Sequence, residues 1–193
     1  MKNLLILICA LVTSVSYGQS EWKLDKNHSS IQFTTTHMLI SEVIGKFNDF
    51  DGNINSPADD FTGSMVDFTA KVASIDTDNE RRDNHLKSDD FFNAEAHPDI
   101  TFKGKIIKED EKYFLVGDFT MRETTKEIKF DVKYNGQIQG RRGKKAGFKV
   151  TGVINRFDYG LKWDSTMEAG GLVVGEDISI TCNLELNEVV EED

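Results

Sequence analysis

Six stretches of this chain alternate apolar with polar or small residues at a period of two. They are Ile31/Phe33/Thr35, Val66/Phe68/Ala70/Val72, Ile100/Phe102/Gly104/Ile106, Ile128/Phe130/Val132/Tyr134, Phe148/Val150/Gly152/Ile154, and the series from Ile178 through Ile180, Cys182 and Leu184 to Leu186. Successive side chains of a strand point to opposite faces, so each stretch reads as a half-buried strand. Segments 112–122, 126–138 and 145–155 follow one another with turn chemistry between them, at Glu123-Thr124-Thr125 and at Gln139-Gly140-Arg141-Arg142-Gly143. That order predicts an antiparallel meander. A chain built mostly of strands must close or stack to hide its edges. The pattern admits both a sandwich and a barrel of about eight strands, whose interior takes side chains or one small ligand. Strands of about seven residues, at ~3.3 Å each and tilted ~40°, would make a barrel roughly 18 Å tall.

Two segments depart from the alternation and read as short helices. In 76–87, Thr77 or Asp78 is placed to cap the first turn, Glu80 suits the positive end of the helix dipole, and basic residues follow. The other, His37 to Ile44, carries Met38, Leu39, Val43 and Ile44 and is long enough for a turn or two. It reads as a plug or lid on one barrel mouth, with the glycine-rich stretch Glu168 to Gly175 as the other half of a movable opening.

At the N-terminus, Lys2 precedes an apolar run from Leu4 to Val15, and Ser16-Tyr17-Gly18 sets small residues at a cleavage site before Gln19. This is the pattern of a secretory signal peptide over residues 1–18, too short for the ~20 apolar residues of a spanning helix. It predicts a periplasmic or secreted product of one domain, residues 19–193. Cys9 leaves with the leader, so Cys182 would stand alone without an intramolecular disulfide and, on its apolar face, behave as a small buried hydrophobe. A formal net charge of −10 disfavours nucleic acid and anionic membrane as main partners. The one basic cluster, Arg141-Arg142-Gly143-Lys144-Lys145, falls at a predicted hairpin tip.

Thirteen phenylalanines stand against two tryptophans, and Phe33, Phe47, Phe68, Phe102, Phe119, Phe130 and Phe148 fall on alternating faces. Rings without hydroxyls make a pocket wall that leaves nothing polar unpaired against an acyl or prenyl chain. The same rings would equally fill a core that binds nothing. With Met38 and Ile180 they form the candidate apolar lining. Arg82, Asp83, His85, Arg156 and Asp158 form the candidate polar group, as a site for a ligand head through bidentate arginine bonds or as a network tying the helix to the barrel end.

Catalytic and metal signatures are missing from the sequence: it has no Gly-x-Ser-x-Gly, no His-Glu-x-x-His and no Walker or Rossmann glycine pattern. His28 and Ser29 are neighbours that a strand would point to opposite faces. His28, His37, His85 and His97 lack close ligand spacing. Neither an enzyme nor a metal site is expected.

Several motifs in order carry a family resemblance: Trp22-x-Leu24-Asp25-x-x-His28-Ser29, His37-Met38, Gly45-x-Phe47, Arg82-Asp83-Asn84-His85-Leu86, Phe91-Phe92 and Pro98-Asp99-Ile100-Thr101-Phe102. Gly147-Phe148, Arg156-x-Asp158-Tyr159-Gly160-Leu161 and Val174-Gly175 continue it. Together they resemble the YceI-like family over nearly the whole predicted mature chain. The resemblance implies a lipocalin-like antiparallel β-barrel, and it favours a carrier that holds a polyisoprenoid, an isoprenoid quinone or a similar long-chain lipid, with no other cofactor. Such a carrier would be open to transient contact with a membrane or membrane protein and to homodimerisation. The alternatives are a hydrolase or isomerase acting on such a lipid, and a structural barrel without ligand. Glu123-Thr124-Thr125-Lys126 departs from the family's usual Gly before Thr-Lys in a hairpin turn.

Overall fold

A computed structural model describes residues 19–163 and 172–190. Its strands are β1 (Ser20–Leu24), β2 (Ser30–His37), β3 (Ser41–Phe47), β4 (Phe50–Ser56), β5 (Met65–Lys71), β6 (Ile75–Asp76), β7 (Asp99–Glu109), β8 (Lys112–Met121), β9 (Thr124–Gly140), β10 (Gly143–Asn155) and β11 (Asp177–Glu188). One helix, α1 (Glu80–Lys87), lies between β6 and β7, and 3-10 turns span Val72–Ser74 and Arg156–Tyr159. No helix among the described residues is long and apolar enough to cross a membrane.

The sheet order β1-β4-β5-β7-β8-β9-β10-β11 returns to β1, closing an antiparallel barrel of eight strands. The meander runs β7 to β10 in direct succession, as the turn chemistry predicts. Closure depends on β11, which pairs with β10 over Asp177–Asn187, with β2 over Ser179–Asn183, and with β1 from Leu186 to Glu188. β1 and β2 thus act as two arms of one interrupted strand on the same edge of β11. Strands β7 to β11 are 10–17 residues long, against the seven predicted. At ~3.3 Å per residue and ~40° tilt, an eleven-residue strand such as β7 reaches roughly 28 Å.

His37 to Ile44 is not helical. β2 runs to His37, a three-residue loop (Met38, Leu39, Ile40) places Met38 and Leu39 at φ 52° and 62°, and β3 returns with His37 opposite Ser41. Two successive positive φ values give the turn a twist that matches the flanking strands, and the hairpin wins over a short helix because β2 is already paired with β11. Likewise the turn expected at Glu123-Thr124-Thr125 lies one residue earlier. Arg122 (φ 53°) and Glu123 make it, and Thr124 already pairs with Met121, so the turn stays tight without glycine. The basic cluster does sit at the tip of the β9–β10 hairpin.

The end of the barrel nearest that basic tip is plugged. The β4–β5 loop turns Phe61 inward, where its ring meets Trp22 (5.0 Å between centroids), Tyr134 (5.5 Å) and Phe148 (4.9 Å). Ser56 and Ser64, both fully buried, hold the loop: Ser64 Oγ donates to the Phe61 carbonyl (2.7 Å) and Ser56 Oγ to that of Ala58 (2.6 Å). Buried hydroxyls satisfied in this way cost little. Around the opposite end lie α1, Phe91 and Phe92 that follow it, the 3-10 turn at Arg156–Tyr159, and residues 172–175.

Candidate functional site: a dry cavity inside the barrel

Between the Phe61 plug and α1 lies a cavity of about 170 Å³. Its wall includes Leu24, Phe33, Phe68, Phe102, Ile180 and Leu184, and it is almost wholly apolar; Gln32, Thr35 and Arg156 are its polar contributors. Phe33, Phe68, Ile180, Cys182 and Leu184 are only partly buried although they point inward. The surface they keep faces the lumen. Burial there pushes the Cys182 thiol up to about 12, so it stays protonated and is no nucleophile at neutral pH.

Glycine placement clears this space. Gly45 lies opposite Phe33 across the β2–β3 pair, and a Cβ on Gly45 would overlap the Phe33 ring. Gly152 on β10 receives the ring of Phe130 in the same way. In both places the ring lies down against the barrel wall because the neighbouring strand presents bare backbone.

Phe33, Phe47, Phe68, Phe102, Phe119, Phe130 and Ile180 line the cavity. Two expected lining residues do not. Phe148 points inward but sits deeper, stacked on Tyr134 at 5.0 Å and capped by Phe61, as part of the plug. Met38 is at the β2–β3 turn, facing outward. Sequence reasoning missed Leu86, Phe91 and Phe92, which form the α1 end of the cavity; the Phe-Phe pair after a predicted helix was the available signal. Of the predicted movable opening, 168–171 lie outside the described residues. The rest, Leu172 to Gly175, does meet β2, through the His37–Val174 bridge and the bonds of Met38 N–H to Val173 (2.8 Å) and Gly175 N–H to Thr36 (2.9 Å).

The five polar candidates do not form one cluster. Arg156 is buried, and its guanidinium donates to the carbonyls of Gly175 (2.9 Å), Leu161 (2.6 Å), Trp163 (2.8 Å) and Val174 (3.1 Å). It clips the 172–175 segment to the 3-10 turn while one side of it borders the cavity. Arg82 donates to Thr77 Oγ1 and the Thr77 carbonyl, both at 2.7 Å, and Asp83 accepts from the Thr77 amide (2.9 Å) and hydroxyl (2.5 Å). Those bonds go to the threonine's side chain and backbone. Thr77 is therefore consumed by Asp83, and Asn79 caps α1 instead, accepting from the Arg82 amide at 3.0 Å. His85 packs edge-on against Phe91 (5.0 Å) and Trp163 (5.1 Å) and meets Asp90 at 3.0 Å. Asp158 is half exposed and paired with Lys126 at 2.8 Å, away from the others.

A second polar group lies where β11 passes from β2 to β1. His28 Nδ1 is 3.1 Å from Asp25 and 3.9 Å from Glu185, a set of metal-ligand types close enough to share an ion. Lys145 Nζ already stands among them, 2.5 Å from Glu185 and 3.5 Å from Asp25. Its ammonium supplies the charge a cation would. The His28 hydrogen bond, helped by Asn187, holds the Asp25 carboxyl down at about 2. This group latches the seam, together with the bond from the Asp25 amide to the Glu185 carbonyl at 2.8 Å.

A closed antiparallel barrel, plugged at one end and enclosing a dry lumen, defines a lipocalin-like class. Residues 22–186 match the YceI-like domain. A UPF0312 protein of Staphylococcus epidermidis is 37% identical over 170 residues, covering 87% of this chain and 98% of that one. The crystal structure of the Campylobacter jejuni YceI protein superposes with a TM-score of 0.69 at 34% identity, covering 81% of this chain and 90% of that one. A polyisoprenoid binding domain from Saccharophagus degradans shares the fold at TM-score 0.64 and 12% identity, over 87% of this chain and 98% of that one. The chain belongs to the YceI-like family.

Proposed function

We propose that this chain is an exported carrier that keeps the apolar chain of an isoprenoid or similar amphiphile in the barrel lumen, without turning it over. The observation that carries this reading is the apolar cavity, walled by phenylalanines and aliphatic residues, with Arg156 as the one charged side chain at its border among the described residues. The binding named for the Saccharophagus domain of the same fold agrees with it. Cys182, the one thiol on the wall among the described residues, is held protonated, which disfavours covalent catalysis through it.

Size restricts the cargo. An engineered apolar cavity of about 150 Å³ takes one benzene, and drug-sized ligands occupy ~300–1,000 Å³. At about 170 Å³ the lumen admits a prenyl unit or two as it stands. A longer chain must spread the partly buried rings of Phe33 and Phe68 or trail out past α1. The head group belongs at the Arg156 end, where a fixed positive charge favours an anionic or carbonyl-bearing head. Residues 1–18 serve as the leader that brings the carrier into an aqueous compartment outside the cytoplasm.

Mass spectrometry of the protein purified without detergent from its producing cell tests both parts. An organic extract containing a stoichiometric long-chain lipid, and an intact mass beginning at Gln19, are expected. Protein that carries no lipid and takes up none from a panel of prenyl alcohols, quinones and fatty amides would overturn the carrier reading.

A further inference from the structure

Of the nine large apolar side chains exposed among the described residues, four gather at one place, while Met65, Ile138, Val153, Val189 and Val190 lie on other parts of the chain. Leu39 is 67% exposed, Ile40 87%, Ile44 60% and Met38 43%, all on the β2–β3 hairpin. Met38 and Leu39 occupy left-handed backbone, φ 52° and 62°, where glycine or asparagine is the low-energy choice. The chain thus accepts both backbone strain and solvent exposure to keep large apolar groups at this tip.

Its position ties it to the cavity. Phe33 and Thr35 of β2 are cavity-lining, and the turn begins three residues past Thr35, roughly 10 Å further on. The root of the hairpin is stitched to Val174, another lining residue, through the His37–Val174 bridge. From Met38 to Gly45 there is no lysine or arginine, and the one charged residue, Glu42, is set back from the tip.

We propose that this hairpin is a wedge that seats the mouth of the barrel in the interfacial layer of an electrically neutral lipid bilayer. Consecutive apolar residues at a hairpin tip point in several directions at once. A protein surface would cover one side of them, whereas a fluid acyl layer surrounds them all. Without basic residues the tip has no use for anionic lipid, and a chain of net charge −10 is repelled by it. Seated this way, the mouth opens onto the phase in which a long apolar cargo dissolves. That purpose rests on the carrier reading above, while the docking itself does not.

Flotation with vesicles tests the proposal. The protein used begins at Gln19, because the apolar run Leu4 to Val15 would itself bind lipid and every strand among the described residues lies within 20–188. Binding to pure phosphatidylcholine vesicles is expected, insensitive to salt and no stronger when phosphatidylglycerol is added. The double variant Leu39→Asn, Ile40→Thr should lower the partition coefficient about tenfold or more. Its melting temperature should hold or rise, since asparagine relieves the left-handed strain at position 39. Uptake of a soluble fluorescent prenyl probe, measured without vesicles, should be unchanged, and transfer of that probe out of vesicles should slow.

Wild-type protein that ignores phosphatidylcholine, or a variant that binds it equally, overturns the wedge. So does binding that requires phosphatidylglycerol and disappears with Arg141→Ser, Arg142→Ser, which would assign docking to the β9–β10 end. A wild-type dimer that the variant converts to monomer, with no vesicle binding, would make the hairpin a contact between copies. Failure of the probe to bind either protein speaks against the carrier reading and leaves the flotation result standing.

Discussion

The ring of Phe130 on β9 lies against the backbone of Gly152 on β10, so closely that a single methyl group at position 152 would overlap it. Gly152→Ala should therefore swing the ring into the lumen. About 1–3 kcal/mol of stability should be lost to overpacking, and probe uptake should fall. Chemical denaturation and titration with a fluorescent prenyl probe check the two effects, and unchanged uptake would show that the ring has another place to go.

Phe130→Ala should act in the opposite sense on capacity. It removes a buried ring and enlarges the cavity, at an expected cost of about 3–5 kcal/mol. If the variant remains folded, it should take probes with longer chains than the wild type does, as read by competition across a chain-length series.

Arg156→Met should loosen the cavity's border. Four carbonyl bonds are lost together, and leaving buried carbonyls unpaired costs on the order of 3 kcal/mol. The Gly175 amide, bonded to the Thr36 carbonyl, should exchange with deuterium faster. A headed ligand and its headless analogue separate the two roles of Arg156. Selective loss of the headed one assigns the charge to recognition, and equal loss assigns it to scaffold.

Asp25 should make stability depend on pH at the acid end. Its folded pKa, about 2, lies below the ordinary 3.8, so its contribution is fully present above pH 4 and is lost as pH falls from about 4 to 2. Allowing for solvent screening, the loss is on the order of 1 kcal/mol. Asp25→Asn should flatten that limb of the stability profile, measured by denaturant titration between pH 2 and 6.

Period-two alternation in six stretches located β2, β5, β7, β9, β10 and β11 and put Phe102 and Phe130 on the correct face, while β1, β3, β4 and β6 went unread. It could not say how far along the barrel a ring lies. Phe148 therefore passed for lining when it belongs to the plug, whose partner Phe61 sits in a loop with no periodicity. Residues 38, 39, 43 and 44 share the i, i+4 spacing of a helix face, and Met38-Leu39 carries no glycine or asparagine to announce a turn. The hairpin became visible only through the pairing of β2 with β11, a contact between residues some 150 positions apart. Arg156 was legible as important because it stands in an apolar setting. Its partners were not, since carbonyl oxygens belong to every residue and leave no trace in a sequence.

Among the described residues β11 is the only strand that touches β10, β2 and β1, and it is the last strand of the barrel in chain order. Trp22 leaves the ribosome long before its partner Glu188 exists, by roughly 10–30 s at ordinary synthesis rates. Through that interval β1 and β2 each lack one edge partner and the lumen is an open, wet trough. The lumen closes only once the final strand has met all three neighbours.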